Sequence, residues 1–279
     1  MIYFITVNYF SSHLITKLIH SIPKNSKCYH QFIIVNNSPD DASLYQMKTD
    51  DIIILESETN LGFGRACNLG LNWIYKQDNK ATVWLINPDS YLLENALEKA
   101  TKFLESYSEL SILGTTIYKP TEEIWFAGGR FIPKTGTIIS ETVVKTNLDL
   151  AYTDCDWVSG CSMLINFRKF KSCPEFDPAY FLYYEDFDFC LRYANQGHLV
   201  VITSNFGVVH QPSSITNRKI FDKFKHSTYS YLLTLERHTK FWVRARRLIR
   251  LIFHAIILIF IKPSVGFGKL YGVLLYFKS

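Results

Sequence analysis

The chain has six cysteines but no Cys-x-x-Cys pair and no cysteine–histidine spacing of the zinc-finger kind. It also lacks an aromatic-basic RNA-binding signature, so nucleic acid is not an expected partner. The opening stretch Met1–Val7 has no basic segment and no small-residue cleavage site. It therefore reads as a first strand rather than an export signal, and a cytoplasmic chain with reduced thiols is expected. There is no internal repeat and no low-complexity tract. Long apolar runs are missing too. The longest candidate, Leu251–Ile261, is eleven residues interrupted by His254, well short of the roughly 20 needed to span a bilayer core.

What is present fits a globular chain. Hydrophobic residues make up 48% and charged residues 20% of 279 positions, enough to bury a large core. The 21 Phe and 17 Tyr point to an aromatic-rich core, a sugar-stacking cleft or an interfacial surface. The net charge of +5 is modest, and much of the basic excess gathers late, at Lys240, Arg244, Arg246, Arg247, Arg250, Lys262 and Lys269. A basic patch beside apolar residues favours an anionic membrane surface, with Phe241–Ile261 as an interfacial helix. The competing reading makes Ile256–Ile261 and Val273–Phe277 ordinary core.

Strand patterns at Ile2–Val7, Phe32–Val35, Ile52–Leu55 and Thr82–Ile86 alternate with helical ones after Ser11 or Ser12 and over about Gly64 to Tyr75. That rhythm predicts a parallel sheet with helices on both faces. Ligands bind such sheets beyond the carboxyl ends of the strands, where Asn8, Asn36, Asn37, Asn60 and Asp89 fall. After a helix over Asn95–Tyr107, Gly128-Gly129 and Lys134-Thr135-Gly136 predict a hairpin excursion within Trp125–Val144. Asp156–Ile165 returns to the sheet. A helix from Glu185 towards Gly197 precedes strands at Leu199–Thr203 and Val208–His210. From Phe221 to Ile261 the pattern is helical.

Three groups of residues carry chemistry. Asn60–Gly70 joins a strand to a helix, and its small residues, with Asn60, Arg65 and Asn68, suit a diphosphate at a helix N-terminus. The bland alternative is a tight turn. Asn87-Pro88-Asp89 puts a carboxylate at a strand end, where it can bind Mg²⁺ or Mn²⁺ with donor phosphates, or merely cap a turn. Glu185-Asp186-Phe187-Asp188 crowds acids at a helix start. Successive residues there turn by about 100°, so the acids diverge. Asp188 is four residues before Arg192, an ion-pair spacing. Asp186 remains as general base, with Glu185 contacting acceptor or tuning it, unless these acids only satisfy the helix dipole. His210, after its strand, gains interest only beside Asp89 and Asp186.

In order along the chain, Val35-Asn36-Asn37-Ser38, Asn60–Gly70, Asn87-Pro88-Asp89, Trp157–Leu164, Phe181–Arg192 and His210 resemble the family 2 glycosyltransferases. The likeness is strongest to the rhamnosyltransferase-like branch of bacterial surface-polysaccharide synthesis and runs from Ile2 to about Ser214. It implies an α/β fold of the GT-A nucleotide-diphospho-sugar transferase type, with a mostly parallel central sheet flanked by helices. That domain would occupy residues 1–220, and 221–279 would form a C-terminal helical, membrane-associating extension. The resemblance further implies inverting transfer, with Asp186 as base and Glu185 beside it. Thr6, Asn8, Asn37, Asn60, Gly62, Arg65, Asn68 and Asn87 would line the nucleotide. Trp157, Ser159, Gly160 and Tyr184 would border sugar and acceptor, and Asp89 with His210 would hold the divalent metal. Two positions depart from the family pattern: Asn87-Pro88-Asp89 replaces an Asp-x-Asp, and Asn36 replaces an acid. The Asn-Pro-Asp form favours dTDP-L-rhamnose as donor. UDP-hexose, UDP-galactofuranose or a UDP-N-acetylhexosamine is the rival, and an inactive sugar-binding scaffold the rival of another class. The implied acceptor is a polyprenyl-diphosphate-linked glycan at the cytoplasmic leaflet.

Overall fold

All seven residues of β1 (Ile2–Asn8) are buried, the pattern of a strand covered on both faces. The computed structural model describes residues 1–23, 26–140, 150–211 and 219–279. After β1 come α1 (Ser12–His20), β2 (His30–Asn36), β3 (Ile52–Glu56), α2 (Phe63–Gln77), β4 (Thr82–Ile86) and β5 (Ser90–Leu92). Next are α3 (Ala96–Ser106), β6 (Ile112–Tyr118), β7 (Ile124–Phe126), β8 (Gly129–Ile132) and β9 (Thr137–Ser140). The chain continues through β10 (Thr153–Asp154), β11 (Ser162–Asn166), α4 (Glu185–Ala194) and β12 (Val200–His210). It closes with α5 (Ile220–His238), α6 (Phe241–Ile261) and α7 (Pro263–Lys278).

The ten-stranded sheet runs β10-β12-β6-β11-β4-β1-β2-β3, with β5 added on β12 and β7 on β6. β4, β1, β2 and β3 are parallel neighbours, as are β6 and β12. β11 is antiparallel to both β4 and β6. These six strands therefore point one way, and their carboxyl ends share one edge of the sheet. This is the expected GT-A arrangement of a mostly parallel sheet with flanking helices and a helical C-terminal region. Phe4 stacks between Phe32 and Trp84 at 4.8 and 5.3 Å, and the buried Trp84 indole donates to Ser162 Oγ at 2.9 Å.

Several local expectations change. Ile124–Phe126 joins the main sheet beside β6, while the hairpin itself is β8–β9, turned at Gly136 with φ 64°. Residues 141–144 of the expected excursion, and 212–214 of the expected resemblance, lie outside the described residues. The two strand patterns ending at His210 form one strand with a bulge between Thr203 and Gly207. The long helix from Phe221 to Ile261 is two. Thr239 turns extended (φ −134°, ψ 165°), and its N–H closes α5 on the Leu235 carbonyl at 3.0 Å. Pro263 then opens α7, where its missing N–H costs nothing. α7 lies very close to α5, for a Cβ on Gly272 would stand 2.5 Å from the Lys225 carbonyl oxygen. Ile256, Ile257, Phe260 and Ile261 are exposed, as are Leu274 and Phe277, so only Val273 of these segments meets the core reading.

Candidate active site

The shared carboxyl edge is where the sheet presents polar side chains. Asn8 Nδ2 lies within 3.0–3.1 Å of Asn36 Oδ1, Ser38 Oγ and Asp41 Oδ2. Asn37 accepts from the Leu61 N–H at 2.8 Å and donates to Asn60 Oδ1 at 2.9 Å, while Asn60 Oδ1 takes the Gly62 N–H at 2.9 Å. These bonds hold the loop after β3 over the ends of β1 and β2. Thr6 Oγ1 is buried without a hydrogen-bond partner among the described residues. Asn87 follows β4, its N–H bonded to the Cys161 carbonyl at 3.1 Å.

Three residues expected along the nucleotide have other work in this structure. Asn68 donates to and accepts from the Phe176 backbone at 2.8 Å each way. Arg65 Nε donates to the Pro178 carbonyl at 2.7 Å. Gly62 has φ 81°, and a Cβ there would stand 2.0 Å from the Phe181 carbonyl oxygen. All three clamp the segment 176–181 against the start of α2. The small and polar character of Asn60–Gly70 thus serves close packing of that segment as well as any ligand.

Asp89 and His210 meet at the end of β4 and β12. Ser90 of β5 pairs in register with His210, which places the Asp89 carboxylate 3.1 Å from His210 Nε2, both nearly buried. Burial disfavours the imidazolium, but the Cys161 thiol and the Asp89 carboxylate outweigh it and raise His210 to about 10. The pair offers one oxygen and one nitrogen donor, and no group of three His, Cys, Asp or Glu side chains among the described residues is arranged to hold a metal ion. A divalent cation there would fill its remaining positions with waters or phosphate oxygens.

The segment before α4 is strained. Tyr183 and Tyr184 are adjacent non-glycine residues in the left-handed region, with φ 71° and 65°. Such conformations persist only where surroundings hold them. Phe63 N–H donates to the Phe181 carbonyl at 3.0 Å, Ser230 Oγ to the Leu182 carbonyl at 2.8 Å, and the Tyr184 and Tyr231 rings lie 5.7 Å apart. α2 and α5 therefore brace the turn that aims Glu185 and Asp186.

The three acids then part as their helical spacing requires. Asp186 stays partly exposed, with its oxygens accepting from the Gly160 N–H at 2.9 Å and the Phe187 N–H at 2.8 Å. Desolvation raises its proton affinity, against the pull of those two N–H donors. Glu185 is buried with Oε2 unpartnered among the described residues, and burial followed by the charge of Asp186 pushes it up to about 8. Asp188 is fully buried and bonded to Arg192 Nε at 2.6 Å and His238 Nε2 at 2.9 Å. Burial would raise it, but those bonds and the Arg192 charge hold it below the usual carboxylate range. Gly160 touches Asp186 directly. Ser159 accepts the Cys161 N–H, and Trp157, its indole N–H buried and unpartnered among the described residues, packs on Phe126 and Phe187.

Sequence reasoning missed Asp41, whose carboxylate enters the Asn8 cluster from beyond β2 next to where Asn36 replaces an acid. It also missed Cys161 beside His210, and His238, Arg237 and Tyr180 around Asp188. Asp41 sits in a turn-rich loop five residues after Asn36, a discoverable signal. His238 is fifty positions from Asp188 and has none.

A sequence model of the family described as Glycosyl transferase family 2 matches residues 3–173, more than half of the chain. The chain is 27% identical over 250 residues to rhamnosyltransferase WbbL of Escherichia coli K12, covering 83% of this chain and 92% of that protein. It is 24% identical over 192 residues to the low-salt glycan biosynthesis hexosyltransferase Agl10 of Haloferax volcanii, covering 67% of this chain and 60% of that one. Among solved structures, GalNAc-T7 with UDP, GalNAc and Mn²⁺ superposes with a TM-score of 0.57 at 12% identity, over 83% of this chain and 50% of that chain. S. aureus TarS in complex with UDP-GlcNAc gives 0.54 at 14% identity, over 83% and 65%.

Proposed function

The chain belongs to glycosyl transferase family 2 and is a glycosyltransferase, and we propose that it moves L-rhamnose from dTDP-L-rhamnose to a lipid-linked glycan in surface-polysaccharide synthesis. The observation that carries the mechanism is Asp186, a partly open carboxylate fixed by two backbone N–H groups at the end of a braced, strained turn. Asp186 takes the proton from the acceptor hydroxyl as that oxygen bonds to the sugar's anomeric carbon. The bond to the diphosphate breaks on the opposite side, so configuration inverts. Glu185, protonated near neutral pH, spares Asp186 a second adjacent negative charge.

Thr6, Asn8, Asn37, Asn60 and Asn87 form the nucleotide's side of the cleft, and Trp157, Ser159, Gly160 and Tyr184 the sugar and acceptor side. Asp89 and His210 would hold a Mg²⁺ or Mn²⁺ ion in place of the proton they share, and such an ion neutralises charge on a departing diphosphate. Support for rhamnose is the match to a rhamnosyltransferase over most of both chains. A UDP-sugar donor is the second reading, favoured by the hexosyltransferase relative and by the UDP and UDP-GlcNAc in the solved neighbours.

No helix among the described residues is long and apolar enough to cross a membrane. α6 instead exposes Trp242, Ile249, Phe253, Ile256 and Phe260, which recur at helical spacing along one stripe, and α7 exposes Phe267, Tyr271 and Leu274 likewise. With the arginines of α6 beside them, these stripes fit the anionic cytoplasmic leaflet, where the acceptor resides.

Thermal-shift titration with dTDP, UDP and GDP, with and without Mn²⁺, followed by transfer assays on wild type and Asp186→Asn, tests this reading. A metal-dependent shift with dTDP and rhamnosyl transfer lost in the variant is expected. Preference for UDP moves the donor to the second reading. Binding of no nucleotide leaves a sugar-binding scaffold.

A further inference from the structure

Behind Tyr184 lies a cavity of about 500 Å³, walled by α5, α6 and α7. Its charged lining is of one sign: Arg247 and Arg250 of α6 and Lys269 of α7, with no acidic side chain. Elsewhere the cations of this region are matched, as Arg192 is with Asp188, Arg237 with Asp177 and Arg244 with Glu236. Arg247, Arg250 and Lys269 form no ion pair among the described residues. Arg247 is fixed by bonds to the Thr135 carbonyl at 2.8 Å and to Thr137 Oγ1 at 2.6 Å, which hold it at the cavity wall. Lys269 is half-buried above the Phe224 ring, and burial lowers its proton affinity with no carboxylate to offset the loss. Three like charges gathered without a counterion, with Lys269 partly desolvated among them, repel one another unless an anion joins them.

The position of the cavity narrows the anion. Its lining includes Tyr184, the residue before the helix of Asp186, whose charge reaches the Tyr184 phenol. It also includes Phe253, which belongs to the exposed apolar stripe of α6 as well. Leu251 and Ile257 add to its apolar lining. An occupant with a phosphate near the acceptor subsite and a hydrocarbon running to the stripe matches both neighbours.

We propose that this cavity seats the phosphate or diphosphate of a lipid-borne acceptor, with Arg250 and Lys269 as its principal ligands and Arg247 as a fixed third. The proposal rests on the transferase reading and adds to it where the lipid's charge is held. Guanidinium and ammonium groups bind phosphate through charge-assisted hydrogen bonds, with Arg supplying a planar fork and Lys a point charge.

The test is calorimetric titration of the full chain with farnesyl diphosphate, inorganic pyrophosphate and farnesol. Farnesyl diphosphate is expected to bind at least about tenfold more tightly than either fragment. Arg250→Gln and Lys269→Gln should each weaken it about tenfold or more. Lys269→Arg should retain it, and Arg246→Gln, an exposed charge of the same helix outside the cavity, should not matter. Undiminished binding in both glutamine variants overturns the proposal, as does equal loss in Arg246→Gln, which would mean diffuse attraction. Pyrophosphate binding as tightly as farnesyl diphosphate would make this a free-phosphate site and overturn the lipid assignment. The same samples are titrated with dTDP and UDP. Nucleotide binding without farnesyl diphosphate binding sinks this proposal alone, and the converse sinks the proposed dTDP- or UDP-linked donor alone.

Discussion

At the carboxyl edge of the sheet, polar side chains are buried and bonded to one another; along α6 and α7, large apolar side chains stand in solvent. Asn8, Asn36, Asn37 and Ser38 are almost wholly out of water, whereas Phe260 is 85% exposed and Trp242 77%. Each arrangement costs free energy in an isolated soluble chain, but for opposite reasons. Buried amides must be satisfied, which the edge does internally and which leaves its geometry rigid. Exposed aromatics need an apolar surface, which the described residues leave Phe260 and Trp242 largely without. α5 belongs to both regions: it carries Ser230, Tyr231 and His238 to the segment around α4, and α7 packs against its other side. Rigidity where bonds are broken and greasiness where a membrane would lie are consistent with an enzyme whose acceptor is lipid-borne.

The sharpest way to break this comparison is to change one carboxylate at the rigid end. Asp186→Asn removes the proton acceptor while keeping the size of the side chain. Turnover should fall about 1,000-fold, with nucleotide affinity little altered. Retention of more than a tenth of the wild-type rate would remove Asp186 from the mechanism. Two residues on, Asp188→Asn should act on the fold instead. It strands Arg192 and His238 around a buried site, a loss of about 3–5 kcal/mol in urea unfolding. If Asp188→Asn proves as stable as wild type, α5 does not brace α4 through that carboxylate.

The different fates of these two acids were partly legible beforehand. The spacing of Asp188 and Arg192 announces their ion pair, and helical geometry alone sends Asp186 to another face. Parallel pairing of β1 to β4 likewise follows from alternating strand and helix patterns. The sequence does not announce that His238 closes the Asp188 site, because the contact depends on where α5 ends, and that is decided by Thr239 turning extended. Nor does it reveal that Gly62, a glycine expected beside a diphosphate, is also required by the closeness of the Phe181 carbonyl. Either role leaves the same small residue in the chain. The exposure of Ile256 and Phe260 agrees with the interfacial-helix expectation, although the apolar run by itself reads alike whether it faces a core or a surface.

A smaller effect separates Glu185 from its neighbours. Its folded-state affinity for a proton is raised from 4.5 to about 8. The folded chain therefore keeps a proton that the unfolded chain releases once pH exceeds about 4.5, and stability from this group declines as pH rises through about 8. Gln does not titrate. Glu185→Gln should therefore gain in melting temperature relative to wild type between about pH 5 and pH 8, by a few degrees. A difference that stays flat across that range would mean that Glu185 is ionised in the folded protein.

The exposed end calls for the opposite result, a variant that changes location and not stability. Ile249→Ser combined with Phe260→Ser removes two apolar groups that are 68% and 85% exposed. Neither contributes to a buried core, so the unfolding free energy should move by less than about 0.5 kcal/mol. On anionic vesicles each group would be buried in the acyl boundary, and their loss should weaken partitioning about tenfold or more. Sedimentation with vesicles and urea unfolding of the same preparation read the two quantities together. Unchanged partitioning with lower stability would show that the stripe packs against protein, and the contrast between the two ends of the molecule would be one of crowding rather than of environment.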